Sequence, residues 1–181
     1  MKKTLITILV TVLVCFGVFG TTLAYLMDKT DTITNTFTYG NVDIELAETT
    51  GTTYKMLPGH VYTKDPTVTV KANSEDCWVF IKVEKSADFD TFMTCAIDST
   101  WGTAIETNGT TSVYAQKVTG VTADRDLAVL AGNTVTINDV TQTELDAAKG
   151  NEPTLAITAY AVQADGFDTA AAAWAQAKTL G

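Results

Sequence analysis

Residues 32–39 alternate: Ile33, Phe37 and Tyr39 fall on one face, with Asn35 among them, and Thr32, Thr34, Thr36 and Thr38 on the other. A period of two places successive side chains on opposite sides of an extended chain, so this segment predicts a β-strand with one wet face. Gly40 and Asn41 turn the chain. Val42, Ile44 and Leu46 then alternate with Asp43 and Glu45 in a second predicted strand whose acidic face meets water. Residues 47–55 form a polar loop, and Leu57-Pro58-Gly59 marks a turn, because proline fixes φ and glycine accepts a positive one. A third strand is predicted over residues 67–72, with Val68, Val70 and Ala72 pointing one way. After turn residues 73–76 the pattern changes. Trp78, Val79, Phe80 and Ile81 make residues 77–83 apolar on both faces, the mark of a strand covered from both sides and central in its sheet.

Further along, residues 88–97 read as a loop leading into another strand, with Phe89, Phe92, Met93, Cys95 and Ile97 as its apolar positions. Asn108-Gly109 suits a tight hairpin turn between segments ending at Thr107 and starting at Thr110, and residues 113–121 continue that hairpin. Short strands are predicted at residues 127–130 and 134–137, separated by Ala131-Gly132-Asn133. Thr143 is placed to cap a helix over residues 144–149, which Gly150 ends. Residues 155–164 alternate again, with Leu155, Ile157, Ala159 and Ala161 on one side and Thr158, Tyr160 and Val162 on the other. Asp168 is placed to cap an alanine-rich helix over residues 169–180, packing through Trp174 and Leu180. About nine short strands with turns between them predict an all-β fold, a jelly-roll-like two-sheet β-sandwich with one or two short helices.

The first two dozen residues carry a different pattern. Lys2 and Lys3 precede an apolar run over residues 5–19, and residues 20–24 are more polar and end in a small residue. This is the layout of an export signal, with cleavage between Ala24 and Tyr25. The alternative is an uncleaved anchor, because no charge occurs between Thr4 and Met27. Under either reading the two lysines hold the N-terminus inside and place residues from Asp28 onward outside the membrane. Cys15 lies in the middle of the apolar run and follows a β-branched residue, which argues against lipid attachment. The chain of 181 residues therefore divides into a signal helix over 1–24, an N-terminal strand segment over 25–46, and a sandwich domain over 47–181. About 155 residues remain after cleavage, enough for one core without a metal or a disulfide framework.

Charge narrows the function. The formal net charge is −9, and Arg125 is the only arginine. Losing Lys2 and Lys3 leaves 10 basic against 21 acidic side chains, a net of −11. Such a surface lacks the basic footprint that phosphate backbones or anionic lipids require, so no nucleic-acid partner is expected. His60 is the only histidine, which removes metal sites built on two histidines, and its place after Pro58-Gly59 reads as a solvated turn. Cys77 and Cys95 are the cysteines that survive cleavage. They would face each other if their strands formed an antiparallel hairpin centred near Ser86, and the outside compartment would then favour a disulfide; otherwise they are two core thiols. The pairs Asp43/Glu45, Glu75/Asp76 and Asp124/Asp126 lack the spacing of a calcium loop and read as solvated faces, the alternative being weak calcium binding. Asn108-Gly109-Thr110 has the form of a glycosylation acceptor, although the hairpin turn accounts for it. No cofactor, metal site or catalytic residue is expected.

Three stretches resemble the TasA/camelysin family of Gram-positive bacteria: Leu23 to Asp28 with Thr34 to Val42; Leu57-Pro58-Gly59 with Lys64 to Val70 and Cys77 to Val83; and Ile157 to Ala164. The resemblance implies a jelly-roll domain released by a SipW-type signal peptidase and a structural, non-enzymatic role in cell-surface or biofilm-matrix fibres. The partners it implies are further copies of the chain and other matrix proteins, with membrane contact only through an uncleaved signal. In such fibres the freshly cut N-terminal strand fills a gap in the next subunit's sheet, here burying Ile33, Phe37 and Tyr39. The other reading of that strand is pairing within its own subunit. Some members of the family are metallo-endopeptidases, a pattern from which this sequence departs, and a monomeric surface binding module is the remaining alternative.

Overall fold

A computed structural model describes residues 40–51 and 53–180. The export segment, the junction at Ala24 and Tyr25, and the predicted strand with Ile33, Phe37 and Tyr39 lie outside the described residues. Strands β1 (Ile44–Ala47), β3 (Thr67–Val70) and β8 (Arg125–Ala128) form one sheet in that order. A second sheet has the order β10 (Leu155–Gln163), β4 (Cys77–Lys85), β7 (Thr111–Val118) and β6 (Glu106–Asn108). The third joins β2 (Val61–Thr63), β9 (Thr134–Ile137) and β5 (Met93–Thr94). Every pairing is antiparallel. The helices are short: α1 (Phe89–Phe92), α2 (Gln142–Ala147) and α3 (Ala170–Ala177). The fold is all-β with a few small helices.

β4 explains why its sequence does not alternate. Val79, Ile81 and Val83 join Val68 and Val70 from β3, Leu127 from β8 and Val135 from β9 in the main core. On the opposite face Phe80 packs with Ala173, Trp174 and Ala177 of α3. A strand held between two layers must be apolar on both faces. Each such fully buried aliphatic or aromatic side chain contributes on the order of 1.5–3 kcal/mol. β10 shows the same division with smaller residues. Leu155, Ile157 and Ala159 pack against the main core, while Tyr160 and Val162 lie under α3.

Several local signals resolve differently from the expectation. Asn108 pairs with Thr111, so the hairpin loop is Gly109-Thr110, one residue later than predicted. Only the glycine takes a positive φ there, 57°, which suits a turn with glycine at its first central position. The cap of α2 is Thr141, not Thr143. Its hydroxyl accepts from Glu144 N at 3.3 Å while Glu144 Oε2 accepts from Thr141 N at 2.8 Å, a reciprocal capping box. Thr169 replaces Asp168 as the cap of α3, its hydroxyl accepting from Ala172 N at 3.2 Å. β8 starts and ends two residues before the predicted strand: Val129 N still donates to the Pro66 carbonyl at 3.0 Å, but proline has no N–H to return, and Leu130 bridges to Ile97. Residues 88–97 contain α1 before β5, and the three-residue β2 had no sequence signal.

Candidate functional site

β10 is nine residues long and hydrogen-bonds to β4 on one side; among the described residues no strand pairs with its other side. Exposed edges are ordinarily blunted by charge, proline or brevity. Leu155 to Gln163 contains neither a charge nor a proline. The remaining edge strands are two to four residues long, and β1, β6 and β8 carry charged side chains. Among the described residues β10 is therefore the longest and least protected edge.

Two grooves open at its Leu155 end. One, of about 220 Å³, lies between β10 and β1 and is lined by Leu46, Ala47, Pro66, Leu155 and Ile157 among others. The other, of about 270 Å³, is lined mainly by Tyr54, Met56, Tyr62, Phe89, Met93 and Pro153. Leu155 and Lys64 line both, so the two grooves adjoin. The Tyr54 and Tyr62 rings meet at 5.1 Å, and Tyr62 is fixed by its hydroxyl donating to the Lys55 carbonyl at 2.7 Å. Lys64 Nζ is held by Glu48 Oε1 at 2.8 Å and lies 5.6 Å from the Tyr54 ring centroid. The Gln163 end differs in chemistry. Its cleft is lined by Gly40, Glu75, Asp76, Gln163 and Asp165.

The described chain begins beside that acidic end. The Asn41 carbonyl accepts from Glu75 N at 2.9 Å, and the carbonyl of the next residue, Asp76, accepts from Ala164 N at 2.7 Å. The described residues thus begin next to the C-terminal end of β10.

The other candidate chemistry is dispersed. The hairpin about Ser86 does not form, which removes the geometry that would set Cys77 opposite Cys95. Instead Ser86 N donates to the Thr154 carbonyl and Ser86 Oγ accepts from Thr154 N, both at 3.0 Å, which extends the pairing of β4 with β10 by one position, and the other neighbour of β4 is β7. Cys77 lies opposite Val118 and Gln163, and both cysteines are free thiols. Burial pushes both thiols above their ordinary range, and Asp76 adds to that at Cys77. A thiol so placed is a poor nucleophile. His60 is exposed, its ring 4.4 Å from that of Tyr62. Glu45 and Asp124 both pair with Lys71, at 2.6 and 3.5 Å, and Asp126 accepts from Thr69 Oγ1 at 2.6 Å. Among the described residues no three His, Cys, Asp or Glu side chains converge on one metal-sized site.

The β10 edge and its grooves are candidate site features that the sequence reading did not single out. The only signal was a nine-residue run free of charge and proline, and nothing local distinguishes an edge strand from a paired one. No family model, curated protein or solved structure matches this chain.

Proposed function

We propose that the chain is an exported structural protein of the cell surface or extracellular matrix, which builds fibres when the N-terminal strand of one copy adds to the sheet of another. The observation that carries this reading is the long, uncharged, one-sided edge of β10, a ready acceptor of main-chain hydrogen bonds. Its complement in sequence is the alternating segment 32–39, uncharged like the edge itself. The resemblance to the TasA/camelysin family agrees with this reading, and with it we read the three antiparallel sheets as a jelly-roll-like sandwich. The chemistry is that of a non-enzymatic protein whose switch is removal of the signal after Ala24.

The test compares protein beginning at Tyr25 with protein beginning at Asn41, both first shown folded by circular dichroism. Filaments in electron micrographs of the longer form alone support the reading. Two monomers on size exclusion at every concentration would leave a surface binding module in its place. Intact mass of the exported protein locates the cleavage: a mass that retains residues 1–24 removes the switch.

A further inference from the structure

We propose that the two grooves at the Leu155 end of β10, together with a third cleft beside α2, form one trough that binds a neutral glycan, a chain of uncharged hexose units stacked on Tyr54 and Tyr62. The site uses side chains rather than the β10 backbone and does not depend on fibre assembly.

The trough is continuous because neighbouring clefts share walls. Lys64 and Leu155 line both grooves already described. Met56, Glu152 and Pro153 line the tyrosine groove and also the third cleft, of about 270 Å³, which continues to Leu145 and Lys149 at α2. Each cleft is smaller than the roughly 300–1,000 Å³ usual for a ligand pocket, whereas joined they fall within that range. An open trough of this kind suits a segment of a polymer.

Its aromatic lining is fixed in advance. The Tyr54 and Tyr62 rings stand 5.1 Å apart at 54° to each other, and both hydroxyls donate to backbone carbonyls, Tyr62 to Lys55 at 2.7 Å and Tyr54 to Thr63 at 3.4 Å. Both side chains are half-buried and line the trough. The face of an aromatic ring is electronegative. A hexose offers such a face a row of weakly positive C–H groups while its hydroxyls project from the rim, and rings already held lose little freedom when it binds.

The polar groups fit hydroxyls rather than ions. Lys64 Nζ is chelated by Glu48, at 2.8 Å to Oε1 and 2.9 Å to Oε2, and Oε1 also accepts from the Thr50 hydroxyl at 2.8 Å. The Lys64 and Glu48 side chains are 14% and 20% exposed, so the trough meets a charge pair cancelled within the chain. Along its whole length two ammonium groups, Lys64 and Lys149, stand against three carboxylates, Glu48, Asp146 and Glu152. A phosphate or uronate finds no excess of cation to pair with. A hydrocarbon chain would strip water from the Glu48–Lys64 pair without returning a hydrogen bond. Sugar hydroxyls both donate and accept, so they replace that water on carboxylate and ammonium alike.

Isothermal titration of the full chain, purified from the cells that produce it, tests this with cellohexaose, maltohexaose and mannohexaose as neutral probes. We expect saturable binding of at least one, weakened about tenfold by Tyr54→Ala, as for the loss of a ring at the centre of an interface. Tyr54→Phe should bind within about threefold of the unsubstituted protein, because the ring face and not the hydroxyl makes the contact. Tyr62→Ala and Tyr62→Phe repeat the comparison, so that one poorly folding variant does not decide the result, and circular dichroism checks each fold. No binding of any neutral probe, or binding that both alanine variants leave unchanged, would overturn the site. Tighter binding of hexagalacturonate or hexaproline than of every neutral probe would overturn the ligand class.

Discussion

Asp65 fastens the loop between β1 and β2. Its carboxylate accepts from the Thr49 hydroxyl, from the Thr50 hydroxyl at 2.9 Å, and from the backbone N–H groups of Thr49 and Thr50, each at 3.1 Å. The Thr49 hydroxyl leads the causes that hold its pKa down from 3.8 to about 2. A carboxylate depressed in the folded state contributes fully above its ordinary pKa and loses that contribution as pH falls through the folded value. The loop should therefore stay fastened at pH 4 and release with a midpoint near 2. Amide shifts of Thr49 and Thr50 in an NMR titration check this: a midpoint near 4 would show that the fastening is absent, and Asp65→Asn should abolish the transition. The sequence showed a polar threonine-rich loop but not this anchor, because the partners stand 15 and 16 residues apart. The caps failed for a nearer reason. Thr141 and Thr143 are equivalent by propensity, and only the Thr-x-x-Glu spacing to Glu144 selects the first.

At the scale of elements, β10 and β4 were the most legible, one from its alternation and the other from its lack of it. The edge role of β10 invites a direct test. Ala156 and Thr158 are exposed on its outer face, so Ala156→Lys with Thr158→Lys adds edge charge without opening the core. Stability should change by no more than about 0.5 kcal/mol, as usual for surface positions. Filament yield, measured by sedimentation, should fall sharply, because an approaching strand must desolvate two ammonium groups. Unchanged yield at unchanged stability would exclude β10 as the acceptor. The elements that escaped the sequence reading were the brief ones. β2 and β5, three and two residues long, owe their pairing to β9 rather than to any pattern of their own.

At the scale of the whole molecule, α3 closes the outer face of the four-stranded sheet. Trp174 is its centre: the ring lies 5.3 Å from both Phe80 and Tyr160, and Nε1 donates to Glu106 Oε2 at 3.0 Å. Trp174→Ala should cost about 3–5 kcal/mol in urea unfolding, since it leaves a cavity over Phe80 and removes a hydrogen bond. A loss below about 1 kcal/mol would mean that the helix is not a structural layer. Trp174 was legible as a packing group from the sequence, whereas its partners came from β4, β6 and β10, far away along the chain.

Local chemistry alone determined the longer strands, their faces, the central place of β4 and the alanine-rich helix, because side-chain direction in an extended chain repeats every two residues. Tertiary structure alone decided which strand became the open edge, since that depends on backbone partners in distant segments. It also decided the grooves, which combine Tyr54, Tyr62, Phe89 and Leu155 from four separate stretches. Burial pattern is written residue by residue; adjacency arises only when the sheets have closed on one another.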